Sequence, residues 1–505
     1  MKKTEENPIK QYLPYILLTL ILLLGAFFRF YRIREYMTFL GDEGRDMLVV
    51  KRMIVDHKLT LLGPTTSVGS MYMGPIYYYM MVPFLWLFNL DPVGPSIMVA
   101  ILSVLTIYLL YRLVSEYFNR TAGIIASFLY AISPLTIIYG HSSWNPNVVP
   151  FFSILLMYSV LKIIVNKKNK WFIVLGFTLG ILLQLHYVTF MFLLIIPACF
   201  IFTKCRLSIK SLIGGIFSFL VTYSQFLLFE LRHNFVNTKS VIRFFFTQKN
   251  ASSIPFFLGF FGTVTDVTVR LFWRLITVVN AELGKVLIVI LIIYFLYECK
   301  KIKKDPYIIN QSLLIIMLWI LLGIISFGFY RGVIYDYYFG SLFVVPFILT
   351  SIALSSIWKW TVKGKVVTVA VLILLTVFNL NASPLKIEPN NMLENTEKIA
   401  HSIYDRTDSQ PYNFALIALR NSDHAYRYFL EVWGKPPTVI ENPTIDPLRK
   451  SVTRQLLVIC EEKVCQPEGH SLWEIAGFGR AKIIDRWDSV TVKGFKLVPF
   501  SEEKI

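Results

Sequence analysis

Apolar runs of about 16 to 20 residues recur from Tyr12 to Leu380, and each is long enough to cross the hydrocarbon core of a bilayer. The pattern predicts helical spans at roughly 12–31, 94–112, 121–139, 148–165, 171–187, 188–203, 211–230, 282–298, 308–328, 337–356 and 365–381. A further run, Ile76 to Phe88, is short for a crossing and predicts a surface or re-entrant helix. From about Ala382 the periodicity changes. Asn413 to Leu419 and Gln455 to Ile459 are alternating apolar stretches that look like strands, and Ala425 to Trp433 reads as a helix between them. The expected architecture is an all-α polytopic membrane domain of about eleven transmembrane helices over 1–381, followed by a small α/β extracytoplasmic domain over 382–505.

Composition supports the membrane assignment. Of 505 residues 55% are hydrophobic and 16% charged, with a mean hydropathy of +0.57; a soluble chain carries about a quarter charged residues. The net charge of +18 is not accompanied by any helix-turn-helix, zinc or RNA-binding signature, so no nucleic-acid partner is expected. The positive charge is clustered in short loops instead: Tyr111 to Arg120, Lys162 to Lys170, Lys204 to Lys210, Lys300 to Lys304 and Lys359 to Lys365. All five fall on the cytosolic side only if Ile76 to Phe88 stays outside. That places the N-terminus in the cytoplasm, the tail outside, and outer loops at 32–93, 141–147, 231–281 and 330–336. The first span lacks a small-residue cleavage site and is followed by arginines, so it reads as a retained anchor. Cys199, Cys205 and Cys299 lie in or beside spans. Cys460 and Cys465 lie close together in the polar tail, where a disulfide is expected to persist and a free pair is the alternative.

The first outer loop holds Gly41-Asp42-Glu43-Gly44-Arg45-Asp46, followed by the amphipathic run Met47 to Ile54. An acidic pair at the start of an interfacial helix has two readings. One carboxylate acts as a catalytic base, or Asp42 caps the helix at its electropositive end. Arg45 has the matching alternative of an ion pair with Asp42 three residues back.

The Asp-Glu pair, the Arg two residues on and the amphipathic helix resemble the lipid-carrier-dependent glycosyltransferases of the GT-C fold, the superfamily of protein O-mannosyltransferases and lipid A aminoarabinose transferases. Tyr72-Met73-Gly74-Pro75-Ile76-Tyr77-Tyr78-Tyr79 looks like that superfamily's Lys/His-Pro-Pro-Leu juxtamembrane helix, although Met73-Gly74 replaces the basic residue and the first proline. The resemblance implies an inverting transfer on the extracytoplasmic face, from a polyprenyl-phosphate sugar donor to a hydroxyl of a glycan, lipid or protein acceptor. It assigns the base to Asp42, with Glu43 as second candidate, and places Asp46, Tyr72 and Tyr77 in substrate-contacting segments. The departing phosphate needs positive charge, for which Arg45, Arg232, His233 and Arg331 are candidates. Some relatives use a divalent ion. The His, Asp and Glu residues show no metal-ligand spacing, so no cofactor is assigned.

Three more outer-face segments carry polar groups. His141-Ser142-Ser143-Trp144-Asn145-Pro146-Asn147 reads as a wall for a sugar or headgroup, built from His141, Trp144, Asn145 and Asn147, or as a helix-start turn capped by Asn145 before Pro146. Gln184, His186 and Tyr187 lie near the outer end of a span. Tyr330, Arg331 and Asp336 lie on a late outer loop, where an interfacial Arg/Tyr belt is the alternative. From another functional class, a transporter or flippase of lipid-linked sugars would show inverted repeats or broken midplane helices, and no such repeat stands out.

Overall fold

The structure, a computed structural model, describes residues 8–66, 71–247, 255–299 and 307–500. The basic cluster Lys300 to Lys304 and the first seven residues lie outside the described residues. Chain contacts divide the protein into two compact units. The first comprises Met1–Tyr31, Leu59–Met80 and Ser96–Glu388; the second gathers Arg32–Lys58, Met81–Pro95 and Pro389–Ile505.

All eleven predicted spans are helical. Seven helices among the described residues are long and apolar enough to cross a membrane by length and composition. Several helices are broken where the sequence dictates it. Pro134 has no N–H to offer, so the helix Arg120–Ile132 ends at Ser133 and a short turn, Pro134–Ile138, follows. The carbonyls exposed by this break are met by Arg29, whose side chain is fully buried. Its Nη1 donates to Ala131 O at 3.0 Å and Gly25 O at 3.1 Å, and its Nη2 to Tyr130 O at 3.3 Å and Thr136 Oγ1 at 3.0 Å. Its Nε donates to Ser103 Oγ at 2.6 Å. Every guanidinium donor is thereby used, which is what makes a buried cation tolerable without a carboxylate.

One predicted loop is corrected. The stretch from Leu231 to Ala281, expected as an outer loop, carries the helices Val236–Thr247 and Phe256–Phe272. The second continues through a π turn, Trp273–Thr277, and Phe256–Thr277 has the length and hydropathy of a span. Arg270 and Arg274 make the segment look solvated in sequence; in the fold both are engaged by Asp336, so their charge does not exclude an apolar helix. Ile76–Leu87, with 12 residues, is a helix of about 18 Å, too short to cross alone, as expected.

The second unit contains a four-stranded sheet of order β1-β2-β4-β3, formed by β1 (Asn413–Ile417), β2 (Leu456–Cys460), β3 (Ala481–Ser489) and β4 (Val492–Pro499). β1 and β2 are parallel, and β4 pairs antiparallel with β2 and β3. Every residue of β1 and β2 is buried, so neither strand alternates as the sequence reading expects, and Phe414–Ile417 and all of β2 are apolar. Ala415, Ile417, Val458, Cys460, Phe495 and Leu497 form one core with Ile475 and Phe478. The helices Met392–Asp405 and His424–Val432 pack together, and His424–Val432 also packs on Gly41–Val55. Cys460 and Cys465 are joined in a disulfide, as expected for the tail.

Candidate functional site

In the second unit the acidic pair resolves into two different roles. Glu43, 6% exposed, reaches back so that the Leu40 N–H donates to its Oε2 at 3.1 Å. Glu43 is therefore the capping carboxylate, which corrects the alternative that gave the cap to Asp42. The reason is geometric: the third helical residue can fold back over the first turn, whereas Asp42 projects outward. Burial pushes the Glu43 carboxyl up to about 7, against the opposing pull of backbone N–H donors. Asp42 is left with its side chain 57% exposed. Its side chain is met by Arg45, whose Nη1 donates to Asp42 Oδ1 at 2.9 Å. The same guanidinium holds the buried Asp46 through Nε at 3.0 Å and Nη2 at 2.9 Å. Arg45 is thus a strap across the helix face, and the ion pair expected from sequence is present.

This helix is also anchored along its length. Gly41 and Gly44 lie flush against the segment Ser422–Ala425: a Cβ on Gly44 would stand 2.3 Å from the Ala425 Cα and backbone N. The Gly41 N–H donates to Asn421 Oδ1 at 2.9 Å. At the other end Arg52 grips Glu431 with a fork at 3.0 and 2.7 Å, joined by Lys51 at 3.3 Å.

In the first unit the turn Asp336–Ser341 organises two groups of side chains. Asp336 accepts from Arg270 Nε at 3.0 Å and from Arg274 Nε at 2.9 Å. Arg270 also donates to Ile334 O at 2.9 Å and Asp266 at 3.1 Å, so it is fully committed. Arg274, with its side chain 40% exposed, hydrogen-bonds only through Nε among the described residues, and its guanidinium carbon lies 5.6 Å from the Trp273 ring centroid. It sits on the π turn, beside Val278 at φ 58°, a left-handed conformation that costs a β-branched residue free energy. From the same Asp336–Ser341 turn, Tyr337 meets Trp144 at 4.3 Å between ring centroids, and Tyr338 meets His186 at 4.9 Å. Tyr330 packs against Tyr338 at 6.1 Å. Trp144, His186, Tyr330 and Asp336 are therefore brought together.

The remaining predicted residues are placed elsewhere. The Tyr187 hydroxyl donates to the Tyr72 carbonyl and accepts from Asn237 Nδ2 at 2.9 Å, and the Asn237 Oδ1 accepts from the Tyr72 N–H at 2.7 Å. Tyr77 is buried with its hydroxyl 2.8 Å from Ser143 Oγ. His141 is buried, and desolvation lowers its pKa to about 4, so it is neutral at physiological pH. Asn145 does not cap the turn: Trp144 is the cap residue, and the Asn145 amide donates to Leu185 O at 2.5 Å. Asn147 Nδ2 donates to Ser142 O at 2.8 Å. Arg232 and His233 are exposed at the end of Ile209–Arg232, with His233 stacked on Phe229. Arg331 lies over the Phe256 ring at 4.9 Å. Sequence reading missed Arg270, Arg274, Asn237 and Asn421. Two arginines four residues apart on an otherwise apolar stretch were the available signal for the first two. Among the described residues no three His, Cys, Asp or Glu side chains gather as metal ligands.

The comparisons with known proteins address this fold directly. The family model described as dolichyl-phosphate-mannose-protein mannosyltransferase matches residues 73–228, beginning after Asp42 and ending before Arg270. No curated protein matches the sequence. Among solved structures, ArnT from Cupriavidus metallidurans bound to undecaprenyl phosphate superposes with a TM-score of 0.61 at 12% identity, covering 95% of this chain and 97% of that one. The apo state of the same protein gives 0.61 at 12%, over 97% and 98%. The oligosaccharyltransferase AglB from Archaeoglobus fulgidus, in complex with an inhibitory peptide and a dolichol-phosphate, gives 0.53 at 13%, over 89% and 70%. Residues 73–228 are thus similar to that family model, which does not reach the acidic motif, and the fold expected from the resemblance is present: this chain has the fold of the ArnT and AglB structures.

Proposed function

We propose that this protein is a membrane glycosyltransferase that moves a sugar from a polyprenyl-phosphate donor to an acceptor hydroxyl on the extracytoplasmic face, with inversion. The observation that carries the reading is Asp42, a carboxylate at the mouth of a rigidly anchored helix that is left exposed because its neighbour Glu43 does the capping. In this reaction Asp42 takes the proton of the acceptor hydroxyl. The acceptor oxygen attacks the anomeric carbon as the bond to phosphate breaks, and polyprenyl phosphate leaves with the electron pair. Arg45 holds the Asp42 carboxylate in orientation. In the first unit, Arg274, whose terminal amino groups are not used by Asp336, is a cation of the kind that pairs with a lipid phosphate. The aromatic group around Tyr337 offers faces on which a sugar stacks.

The test is release of polyprenyl phosphate in membranes of cells that lack the native copy and carry each variant, since such membranes hold the native donors and acceptors. Asp42→Asn keeps the size of the side chain and loses the base, so turnover falls about 10² or more; near-normal turnover with normal protein level removes Asp42 from the chemistry. The orientation is tested separately. With Cys199, Cys205 and Cys299 replaced by Ser, a cysteine introduced by Ile445→Cys, at a position 72% exposed, reacts with an impermeant thiol reagent added to intact cells. Labelling only after permeabilisation inverts the proposed topology.

A further inference from the structure

Asp42 owes its position to a chain of hydrogen bonds that runs into the C-terminal part of the second unit. The Gly41 N–H, the first of the helix that carries Asp42, donates to Asn421 Oδ1 at 2.9 Å, and that oxygen also accepts from the Ser422 N–H at 2.9 Å. Asn421 Nδ2 donates to Glu461 Oε1 at 2.8 Å. The same Glu461 oxygen accepts from the Tyr426 hydroxyl at 2.7 Å. Glu461 is in turn fixed by its backbone: its N–H donates to Ile417 O at 3.0 Å, and it follows Cys460, whose disulfide to Cys465 closes the loop.

Three features make this more than incidental packing. The helix start has no side-chain cap of its own for Gly41, since Leu40 is the cap residue and Glu43 serves the Leu40 N–H. An N-terminal N–H without an intrahelical acceptor must find one elsewhere. The contact is also steric: a Cβ on Gly41 would stand 1.9 Å from Ser422 Oγ, so the helix start and the Asn421–Ser422 turn fit only as glycine against backbone. Finally, Asn421 is bonded through both ends of its amide, which sets its orientation and leaves Oδ1 facing the helix.

We infer that Asn421, held by Glu461, is a positioning residue for Asp42: it fixes the first helical N–H and with it the direction of the neighbouring carboxylate. The inference rests on the reading of Asp42 as the base, and it assigns the C-terminal part of the second unit a part in catalysis through geometry, without contact with the reacting atoms. A displacement of the base by a fraction of an ångström is enough to lower turnover while donor binding is unaffected.

The test uses the full-length protein and two independent readouts. Hydrogen exchange of the peptide spanning residues 38–46 reports the helix start directly; turnover in the membrane assay reports its consequence. Asn421→Ala is expected to speed exchange of that peptide about tenfold or more and to lower kcat about tenfold, with the KM for donor and the thermal midpoint close to wild type. Asn421→Asp keeps the acceptor for Gly41 but sets two carboxylates side by side, and is expected to lose turnover as well. Adding Glu461→Gln to Asn421→Asp restores one donor and one acceptor with their direction reversed, and the Tyr426 hydroxyl, which can accept as well as donate, takes the second proton of the new amide; this double variant is expected to regain most of the lost kcat. Unchanged exchange in Asn421→Ala overturns the positioning role. Faster exchange with wild-type turnover overturns its catalytic consequence, as does a double variant no better than Asn421→Asp. Failure of the base assignment is read elsewhere, as wild-type turnover in Asp42→Asn.

Discussion

Glu43 makes the second unit sensitive to pH, and the size of the effect follows from its burial. Its carboxyl titrates at about 7 in the folded chain against 4.5 as the ordinary value, chiefly because burial penalises the charged form. Between those two values the folded protein holds a proton that the unfolded chain has released. Stability is therefore unaffected by this group below about pH 4.5, falls as pH rises through the window, and carries the full cost above about pH 7. The cost is about 3 kcal/mol as an upper figure. Glu43→Gln removes the charge and keeps an oxygen for the Leu40 N–H, so the cap survives. For a unit of this size 1 kcal/mol is worth about 2–4 °C. The wild-type thermal midpoint should thus fall between pH 5 and pH 8 by about 5–10 °C more than that of Glu43→Gln, followed by tryptophan fluorescence in detergent. Carboxylates common to both proteins cancel in the difference. Parallel profiles would show that the Glu43 carboxyl is not displaced from its ordinary range. Loss of turnover in Glu43→Gln, with the cap intact, would transfer the role of base from Asp42 to Glu43.

Two other expectations follow from close contacts. Gly44→Ala drives a methyl into the Ala425 backbone, which cannot yield as a side chain could; a loss of about 1–3 kcal/mol or more is expected in denaturant or thermal unfolding of the second unit. Arg274→Ala should lower turnover at least about tenfold with little change in thermal midpoint, because the side chain is 40% exposed, whereas Arg274→Lys restores charge without the fork and recovers only part of it; donor kinetics in the membrane assay check both.

Much of the fold is legible in the sequence because membrane helices obey one dominant constraint, a run of apolar residues long enough to span. The eleven runs are all helical, and six of them are among the seven helices of the described residues that are long and apolar enough to span. The exception is instructive. Phe256–Thr277 contains Asp266, Arg270 and Arg274, which leave it with the lowest hydropathy of the seven, 1.2, and the sequence does not say that a partner waits at Asp336, some 60 positions further along. The site was legible as a motif and not as a division of labour. Nothing in Asp42-Glu43 says which carboxylate turns back to the cap, since that depends on which side of the helix is covered, and the covering residues come from positions 421–425. Asn145 before Pro146 has the signature of a cap, yet its amide goes to the Leu185 carbonyl, while the turn N–H of Asn147 is served by the Trp144 carbonyl at 2.9 Å. Asn421 carries no local signature at all: an asparagine in a polar turn is ordinary until the helix it serves is beside it.

The bond between Gly41 and Asn421 also has a consequence in time. The two residues are 380 positions apart, and most of the chain between them is membrane helix. At about 5–20 residues per second, ribosomes take about 20–80 s to travel from one to the other. Throughout that interval the first loop is already made, while the turn that accepts its first helical N–H does not yet exist. On the inferred arrangement the base is set last, after the membrane helices have been inserted, so that an incomplete chain lodged in the bilayer has the acidic motif without the geometry to use it.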